Sequence, residues 1–382
     1  MTMTVSPARA YSQRLIGEPG SRFLIPTPAL ILDVEGLDAN IARMAKRTEG
    51  RVALRPHAKT HKSAWIARKQ IAAGAAGVCC AKLGEAEALV AASVRGILLT
   101  SPIVGAAMAD RVCAVAAADA AFACVVDHRD TLGALAKSAS RSGIVLKVVI
   151  DVDVGLTRSG VSSPAEAIEL ANVIRDCPFL EFAGVQGYGG HWQHIPGFDD
   201  RRSAIRIGMA VLAETVEALR GAGHGVERIT GGGTGTVEAD LEIGVLNELQ
   251  PGSYVFMDAQ YYDALGDDAD GDLEPSLWVS SQVVSINAKS IVTVDAGLKA
   301  FATDGPPPRP SGDRFAASSY VFFGDEHGAL TRPAGQPVML GERVEFLTPH
   351  CDPTVDRYSE YHVVQGDRLI DIVPIEAARA SR

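Results

Sequence analysis

The 382-residue chain lacks a surplus of positive charge: 36 Lys and Arg stand against 46 Asp and Glu, giving a net charge of -10 and a pI of about 5.4. The basic residues are scattered, so the positive field that draws nucleic acid is missing and nucleic acid is excluded as an expected partner. No apolar run reaches the roughly 18 residues that a membrane span needs. The opening stretch "MTMTVSPARAYSQRLIGEPG" has neither the basic start nor the apolar core of a secretory signal. The expectation is a cytoplasmic protein with no membrane partner. Cysteine is sparse: six residues in a chain this long make no disulfide framework. Adjacent Cys79 and Cys80, and Cys113 and Cys124 in Ala- and Val-rich runs, read as reduced core residues. Internal repeats, a Gly-Lys-Ser/Thr phosphate loop and the G-x-G-x-x-G dinucleotide spacing are also absent.

What is present is an alternation. From about residue 50 to 260, short β-branched runs alternate with longer segments of helical period, the sequence form of a parallel sheet with crossover helices. Eight strand candidates can be counted: "VALRPH", "GVCCAK", "GILLTS", "ACVVD", "VLKVVID", "FAGVQGY", "RITGGG" and "ELQPGSYVFM". Ser or Asp starts several of the intervening helices and Gly stops them. Eight such units predict an α/β fold with a (β/α)8 barrel over residues 27–262. The later runs "WVSSQVVSINAKSIVTVDAGLKA", "PVMLGERVEFLTPH" and "YHVVQGDRLIDIVPI" are strand-like with Gly-containing turns. They predict an antiparallel β domain over 263–382 together with 1–26. "TPALILD" fits either domain on pattern alone.

In such a barrel, polar residues at the C-terminal ends of the strands face the active site. There "RPHAKTHKS" crowds Arg55, His57, Lys59, His61 and Lys62 into eight residues. Neighbouring positive charge lowers a lysine pKa and makes it a nucleophile toward carbonyls. Alternation along an extended segment puts Arg55, His57 and Lys59 on one side, so Lys59 ranks above Lys62. "TGGGTGT", Thr230 to Thr236, follows the seventh strand, where converging N–H groups make a phosphate nest. A phosphate site beside a Schiff-base lysine points to pyridoxal 5'-phosphate.

The stretches "TPALILD", "RPHAKTHK", "GVCCAKLGEAEAL", "TGGGTG", "ELQPGSYVFMD", "DAGLK", "DEHG" and "PHCDPT" occur in the order seen in the D-threonine aldolase and D-serine dehydratase group, and the chain resembles that family along nearly its whole length. The resemblance implies the alanine racemase fold and pyridoxal 5'-phosphate on Lys59. It implies Gly232, Gly233 and Tyr254 at the phosphate with Thr230 beside them, and Arg158 of "DVGLTRSG" at the pyridine nitrogen. Tyr188 and His194 of "GYGGHWQH" match positions near the substrate, with His194 aligned to the base of aldol cleavage. A homodimer is implied as well. If "TPHCDP" ends a strand, His350 and Asp352 point one way and Cys351 the other. The dehydratase branch carries His-x-Cys here; His-x-Asp suits harder ions, Mn2+ or Mg2+, with Zn2+ also compatible, and favours the aldolase branch.

The expected reaction is therefore retro-aldol cleavage of a β-hydroxy-D-α-amino acid of the D-threonine or D-allo-threonine type to glycine and an aldehyde, with 3-hydroxy-D-aspartate as an alternative substrate. A metal-dependent dehydratase, a racemase and a non-catalytic cofactor carrier are the competing readings. The family often continues with Asn, then His or Tyr, then Asp where this chain has Asp356, Arg357 and Tyr358, which leaves the side-chain preference open.

Overall fold

A computed structural model describes residues 7–265, 273–335 and 337–381. The chain forms two compact units. One comprises residues 42–252 with 264–268 and 380–382; the other comprises 1–41, 253–263 and 269–379.

The first unit contains an eight-stranded parallel sheet built from Ala53–Leu54, Val78–Cys80, Ile97–Leu99, Ala123–Val126, Leu146–Val152, Leu180–Gly187, Ile229–Gly231 and Glu248–Leu249. Six of these strands fall within a run that alternation singled out, while Leu146–Val152 and Leu180–Gly187 extend one and two residues beyond theirs. From Val78–Cys80 to Glu248–Leu249 the strands pair in sequence order, and Ala53–Leu54 pairs with Glu248–Leu249. A parallel bridge between His57 and Cys79 joins the first strand to the second and closes the barrel. Closure leaves no exposed sheet edge. The strands are Val-, Ile- and Cys-rich because both faces are covered: Cys79, Leu98, Ala123, Val125 and Val149 form one buried cluster inside.

Local signals set the helices. Ser63 and Ser163 cap Ala64–Ala72 and Pro164–Arg175 by accepting from Trp65 N and Glu166 N, and Gly143 ends Arg129–Ser142 in the left-handed conformation at φ 66°. At the end of the barrel opposite the mouth lies a buried ion pair. Arg55, 5% exposed, donates from Nε to Glu248 Oε2 at 3.0 Å, and from Nη1 to the carbonyls of Ala76 and Gly96. Those carbonyls precede strands Val78–Cys80 and Ile97–Leu99, so Arg55 lies at their N-terminal ends. The alternation that grouped Arg55 with His57 and Lys59 fails here, because the strand is regular only over Ala53–Leu54.

The second unit holds a nine-stranded, mostly antiparallel sheet. Strand Ala29–Asp33 pairs antiparallel with Leu277–Ser285 and parallel with Glu360–Gln365, so "TPALILD", which pattern alone left open although the expected barrel bounds of 27–262 included it, belongs to this sheet. Gly341 and Gly366, with φ of 81° and 57°, make the turns foreseen at "GER" and "GDR". The unit is not purely β: Ala259–Leu265 and Cys351–Val355 are short helices. Among the described residues no helix is long and apolar enough to cross a membrane.

Removing one member of a buried ion pair strands the other, at a cost of about 3–5 kcal/mol, whereas replacing both by apolar groups costs less. Glu248→Leu, which strands Arg55, should lower the urea midpoint sharply; Arg55→Leu should lower it less, because Arg228 Nε stays 3.6 Å from Glu248 Oε1, and the double variant should recover part of the Glu248→Leu loss.

Candidate active site

One cavity of about 150 Å3 opens at the C-terminal ends of the barrel strands, lined by His57, Lys59, Ala81, Thr100, Ser101, Arg158, Gln186, Tyr188 and Gln250. It gathers Lys59, Arg158 and Tyr188 from three different loops. Lys59 is half-buried and its backbone N–H donates to His57 Nδ1 at 3.3 Å. His57 Nε2 lies 3.1 Å from Thr100 Oγ1, whose proton goes to the Cys80 carbonyl. Thr100 therefore accepts, His57 carries its proton on Nε2, and the ring is neutral. Arg55, one expected source of positive charge near Lys59, is paired with Glu248, and His57 acts as a hydrogen-bonded brace for the Lys59 backbone.

Lys62 has a different fate. Its backbone takes φ 53° and its Nζ meets Glu85 Oε1 at 2.7 Å in a pair whose side chains are 10% and 3% exposed. Glu85 Oε2 accepts in addition from the backbone N–H groups of Ala81 and Lys82. Lys62 is thus held as a charged structural lysine, which leaves Lys59 as the reactive candidate for a geometric reason.

The floor of the cavity is a side-chain network. Gln186 Nε2 donates to Asp151 Oδ1 at 2.8 Å and to Thr100 O at 3.1 Å. Gln250 Nε2 donates to Gln186 Oε1 at 3.2 Å and to Thr230 Oγ1 at 2.9 Å. Ser159 donates to the second oxygen of Asp151 at 2.8 Å, tying the network to the loop that carries Arg158. Burial pushes the Asp151 carboxyl up to about 6, against the opposing hydrogen bonds from Gln186 and Ser159. Arg158 is exposed and lies over the Tyr188 ring, 5.3 Å from its centroid. Thr100 and Gln250 were not singled out from sequence; neither residue type signals function until a fold brings it to a strand end.

The glycine loop fits an anion. Gly232 has φ 71°, and a Cβ on Gly232, Gly233 or Gly235 would collide with Asp240 or Gln193. The N–H of Gly233 points at Thr236 Oγ1, 2.9 Å away, and that of Gly235 at Gln193 Oε1, 3.0 Å away. N–H groups presented by closely spaced glycines in this way form the kind of backbone nest that takes an anion. Thr230 is fully buried beneath the loop. The lysine, the arginine, the aromatic ring and the N–H cradle together fit pyridoxal 5'-phosphate.

His194 is not among the cavity-lining residues; it sits half-buried in the turn after Gly190–Trp192. In the same turn Trp192 is 4% exposed and packed where a side chain on Gly189 or Gly208 would stand, so it is a core residue, while His191 is exposed.

Tyr254, His350 and Asp352 belong to the second unit. Tyr254 is fully buried in the turn Ser253–Val255. The strand Arg343–Leu347 stops before His350, which precedes helix Cys351–Val355 in an extended conformation. The strand alternation expected for His350, Cys351 and Asp352 is therefore replaced by a helix start. Asp258 fixes that start by accepting from Cys351 N at 2.8 Å. Cys351 is set apart all the same: it is fully buried, and burial holds its thiol well above the ordinary range, so it is no thiolate nucleophile. His350 Nδ1 meets Asp304 Oδ2 at 2.9 Å, which leaves Nε2 as the nitrogen available to an ion. Asp352 Oδ1 is 3.4 Å from Ser253 Oγ. Among the described residues no group of three or more His, Cys, Asp or Glu is arranged to hold a metal. An imidazole and a carboxylate are the available donors, a set suited to a divalent ion completed by other oxygens. Just beyond, Asp356 holds Arg379 N at 2.7 Å and Tyr358 donates to Ala300 O at 3.0 Å, while Arg357 faces solvent.

Residues 32–260 match the family model for the alanine racemase N-terminal domain and residues 276–364 match a serine dehydratase domain. The chain is 37% identical over 370 residues to the D-threonine aldolase of Arthrobacter sp, with 96% of each chain covered. It belongs to the D-threonine aldolase family. Like the family's members it is an enzyme of the lyase class. A solved D-threonine aldolase from Filomicrobium marinum superposes with a TM-score of 0.89 at 34% identity, covering 94% of this chain and 98% of that one. The 3-hydroxy-D-aspartate aldolase of Paracoccus denitrificans is 33% identical over 359 residues, 92% of each chain.

The two lysines of the motif should separate cleanly. Lys62→Met leaves Glu85 buried without its cation and should cost about 3–5 kcal/mol by urea denaturation. Lys59→Met should unfold close to wild type and lose only borohydride-trappable binding of pyridoxal 5'-phosphate.

Proposed function

We propose that this chain cleaves the Cα–Cβ bond of a β-hydroxy-D-α-amino acid, of the D-threonine or D-allo-threonine type, to glycine and an aldehyde, using pyridoxal 5'-phosphate and a divalent metal. The observation that carries the reading is the single cavity that gathers Lys59, Arg158 and Tyr188 at the C-terminal ends of the barrel strands. Membership of the D-threonine aldolase family supports it. When bound, the cofactor supplies an electron sink for the charge left on Cα.

Lys59 offers the amine to which the cofactor attaches, braced through its backbone N–H by neutral His57. Thr230, Gly232, Gly233 and Tyr254 hold the phosphate. An arginine does not give up its proton, so Arg158 would leave the pyridine nitrogen of a bound cofactor unprotonated and restrain side reactions. The Asp151–Ser159 hydrogen bond anchors the Arg158 loop. Tyr188, beneath the Arg158 guanidinium, is set beside the substrate. His194 is the base that takes the β-hydroxyl proton. His350, through Nε2, and Asp352 hold Mn2+ or Mg2+, with Zn2+ compatible with the imidazole. Such an ion supplies Lewis acidity that makes a β-hydroxyl a stronger acid. The partner is a small-molecule β-hydroxy-D-amino acid, with neither nucleic acid nor membrane involved; the protein is a cytoplasmic homodimer.

A second substrate, 3-hydroxy-D-aspartate, is favoured by the Paracoccus relative. The dehydratase outcome is favoured by the match of the second domain and by the D-threo-3-hydroxyaspartate dehydratase of Delftia sp., 28% identical over 366 residues. Incubation with D-threonine, D-allo-threonine, D-3-hydroxyaspartate and D-serine, with and without chelator, separates these. Glycine with acetaldehyde, lost on chelation, is the expected result; pyruvate or 2-oxobutyrate with ammonia would overturn the aldolase reading. His194→Ala should lower turnover about 10²- to 10⁴-fold while the bound cofactor's visible absorbance survives.

A further inference from the structure

Under the glycine loop lies a carboxyl group with no role in the chemistry described so far. Asp240, in helix Val237–Ile243, is 3% exposed, and a side chain on Gly232 would collide with its Oδ2. The same oxygen is 2.6 Å from Thr236 Oγ1. Thr236 Oγ1 in turn lies 2.9 Å from Gly233 N, 3.2 Å from Gly233 O and 3.4 Å from Gln193 Nε2. The two nitrogens can only donate, and a hydroxyl has one proton to give. An ionised Asp240 only accepts, so it takes that proton. A neutral Asp240 donates instead, which releases the Thr236 proton toward the loop.

We propose that Asp240, acting through the Thr236 hydroxyl, governs how tightly the glycine loop holds a phosphate group: neutral, it makes Thr236 a donor to the bound anion; ionised, it withdraws that donor and sets a negative charge behind Gly232. The inference rests on the reading of this loop as the cofactor's phosphate site. Asp240 is a positioning residue, since it reaches the anion only through Thr236.

The surroundings leave Asp240 free to play this part. Gly232 and Leu249 meet at the loop side, and neither is charged. Glu248, next along the strand, turns to Arg55; on Asp240's own helix Glu238 pairs with Arg47 and Glu242 with Arg202. Burial pushes the Asp240 carboxyl up to about 7, and only the Thr236 hydrogen bond opposes it. The carboxyl is therefore neutral below about pH 7, and phosphate retention should fall as the pH rises through that value.

The test is the ratio of dissociation constants for pyridoxal 5'-phosphate and for pyridoxal, which lacks the phosphate, on the full-length apoprotein from pH 6 to 8.5. Comparing wild type with Asp240→Asn cancels the ionisation of the phosphate and of Lys59. The amide of the variant donates to Thr236 at every pH. The wild-type preference for the phosphorylated ligand should fall, relative to the variant, by up to about tenfold per pH unit above neutrality. Thr236→Val should lose most of the preference at all pH values and show a weaker pH response than wild type, because only the charge behind Gly232 is left to act. Equal pH dependence in wild type and Asp240→Asn, with binding intact, would sink the proposal and leave the cofactor reading standing. Should Asp240→Asn not fold, a wild-type pH dependence no steeper than that of Thr236→Val overturns it equally. Absence of borohydride-trapped cofactor on Lys59 by mass spectrometry would overturn the cofactor reading, and this inference with it.

Discussion

The seam of the barrel runs through Pro56, His57 and Ala58. His57 N–H donates to Pro251 O on one side, while Ala58 N–H donates to Cys79 O and Cys79 N–H to Pro56 O on the other. A barrel without this seam is an open sheet whose mouth has no fixed diameter. Because the last backbone bonds of the seam are made at Ala58, the next residue, Lys59, leaves the wall at the rim and enters the cavity. The sharp turn that follows, with Lys62 at φ 53° and locked to Glu85, stops the chain from drifting away again. The position of the reactive amine thus depends on backbone hydrogen bonds between segments about 20 and 190 residues apart, and on one buried ion pair.

Polar groups in the barrel are sorted by end. At the N-terminal ends of the strands Arg55 is spent on Glu248 and on two carbonyls, a closed arrangement that serves stability. Toward the mouth, Thr100, Asp151, Gln186, Gln250 and Thr230 form a continuous network with side-chain amides as its linkers. An amide both donates and accepts, so it joins the strand ends without introducing charge that Lys59 or a cofactor would have to accommodate. Two carboxylates in or under the mouth, Asp151 and Asp240, are buried and pushed toward neutrality.

Eight strands could be counted from sequence because each β-branched run is short and each crossover is long enough for a helix, and the Ser and Gly caps sharpened those boundaries. Where pattern alone misled, the period was extended past the end of an element. Alternation beyond Leu54 grouped Arg55 with Lys59, and alternation beyond Leu347 grouped His350 with Asp352, but the first strand has only two regular residues and a helix begins at Cys351. "TPALILD" carries the composition of a strand but nothing that names its partners, and its neighbours in the sheet are some 250 and 330 residues away.

By itself the sequence determined the residue types and their order: a lysine after the first strand, an arginine after the fifth, a run of glycines after the seventh, and His and Asp near the end. Those follow from periodicity and turn chemistry, which are local. Only the tertiary structure decided which lysine is locked to a buried carboxylate, that His57 is neutral, that Arg55 stays away from the mouth, that Asp304 orients His350, and that Asp240 lies under the glycine loop. Each of these depends on a partner distant in the chain, and the charge or proton a side chain carries is set by that partner and by burial rather than by its neighbours in sequence.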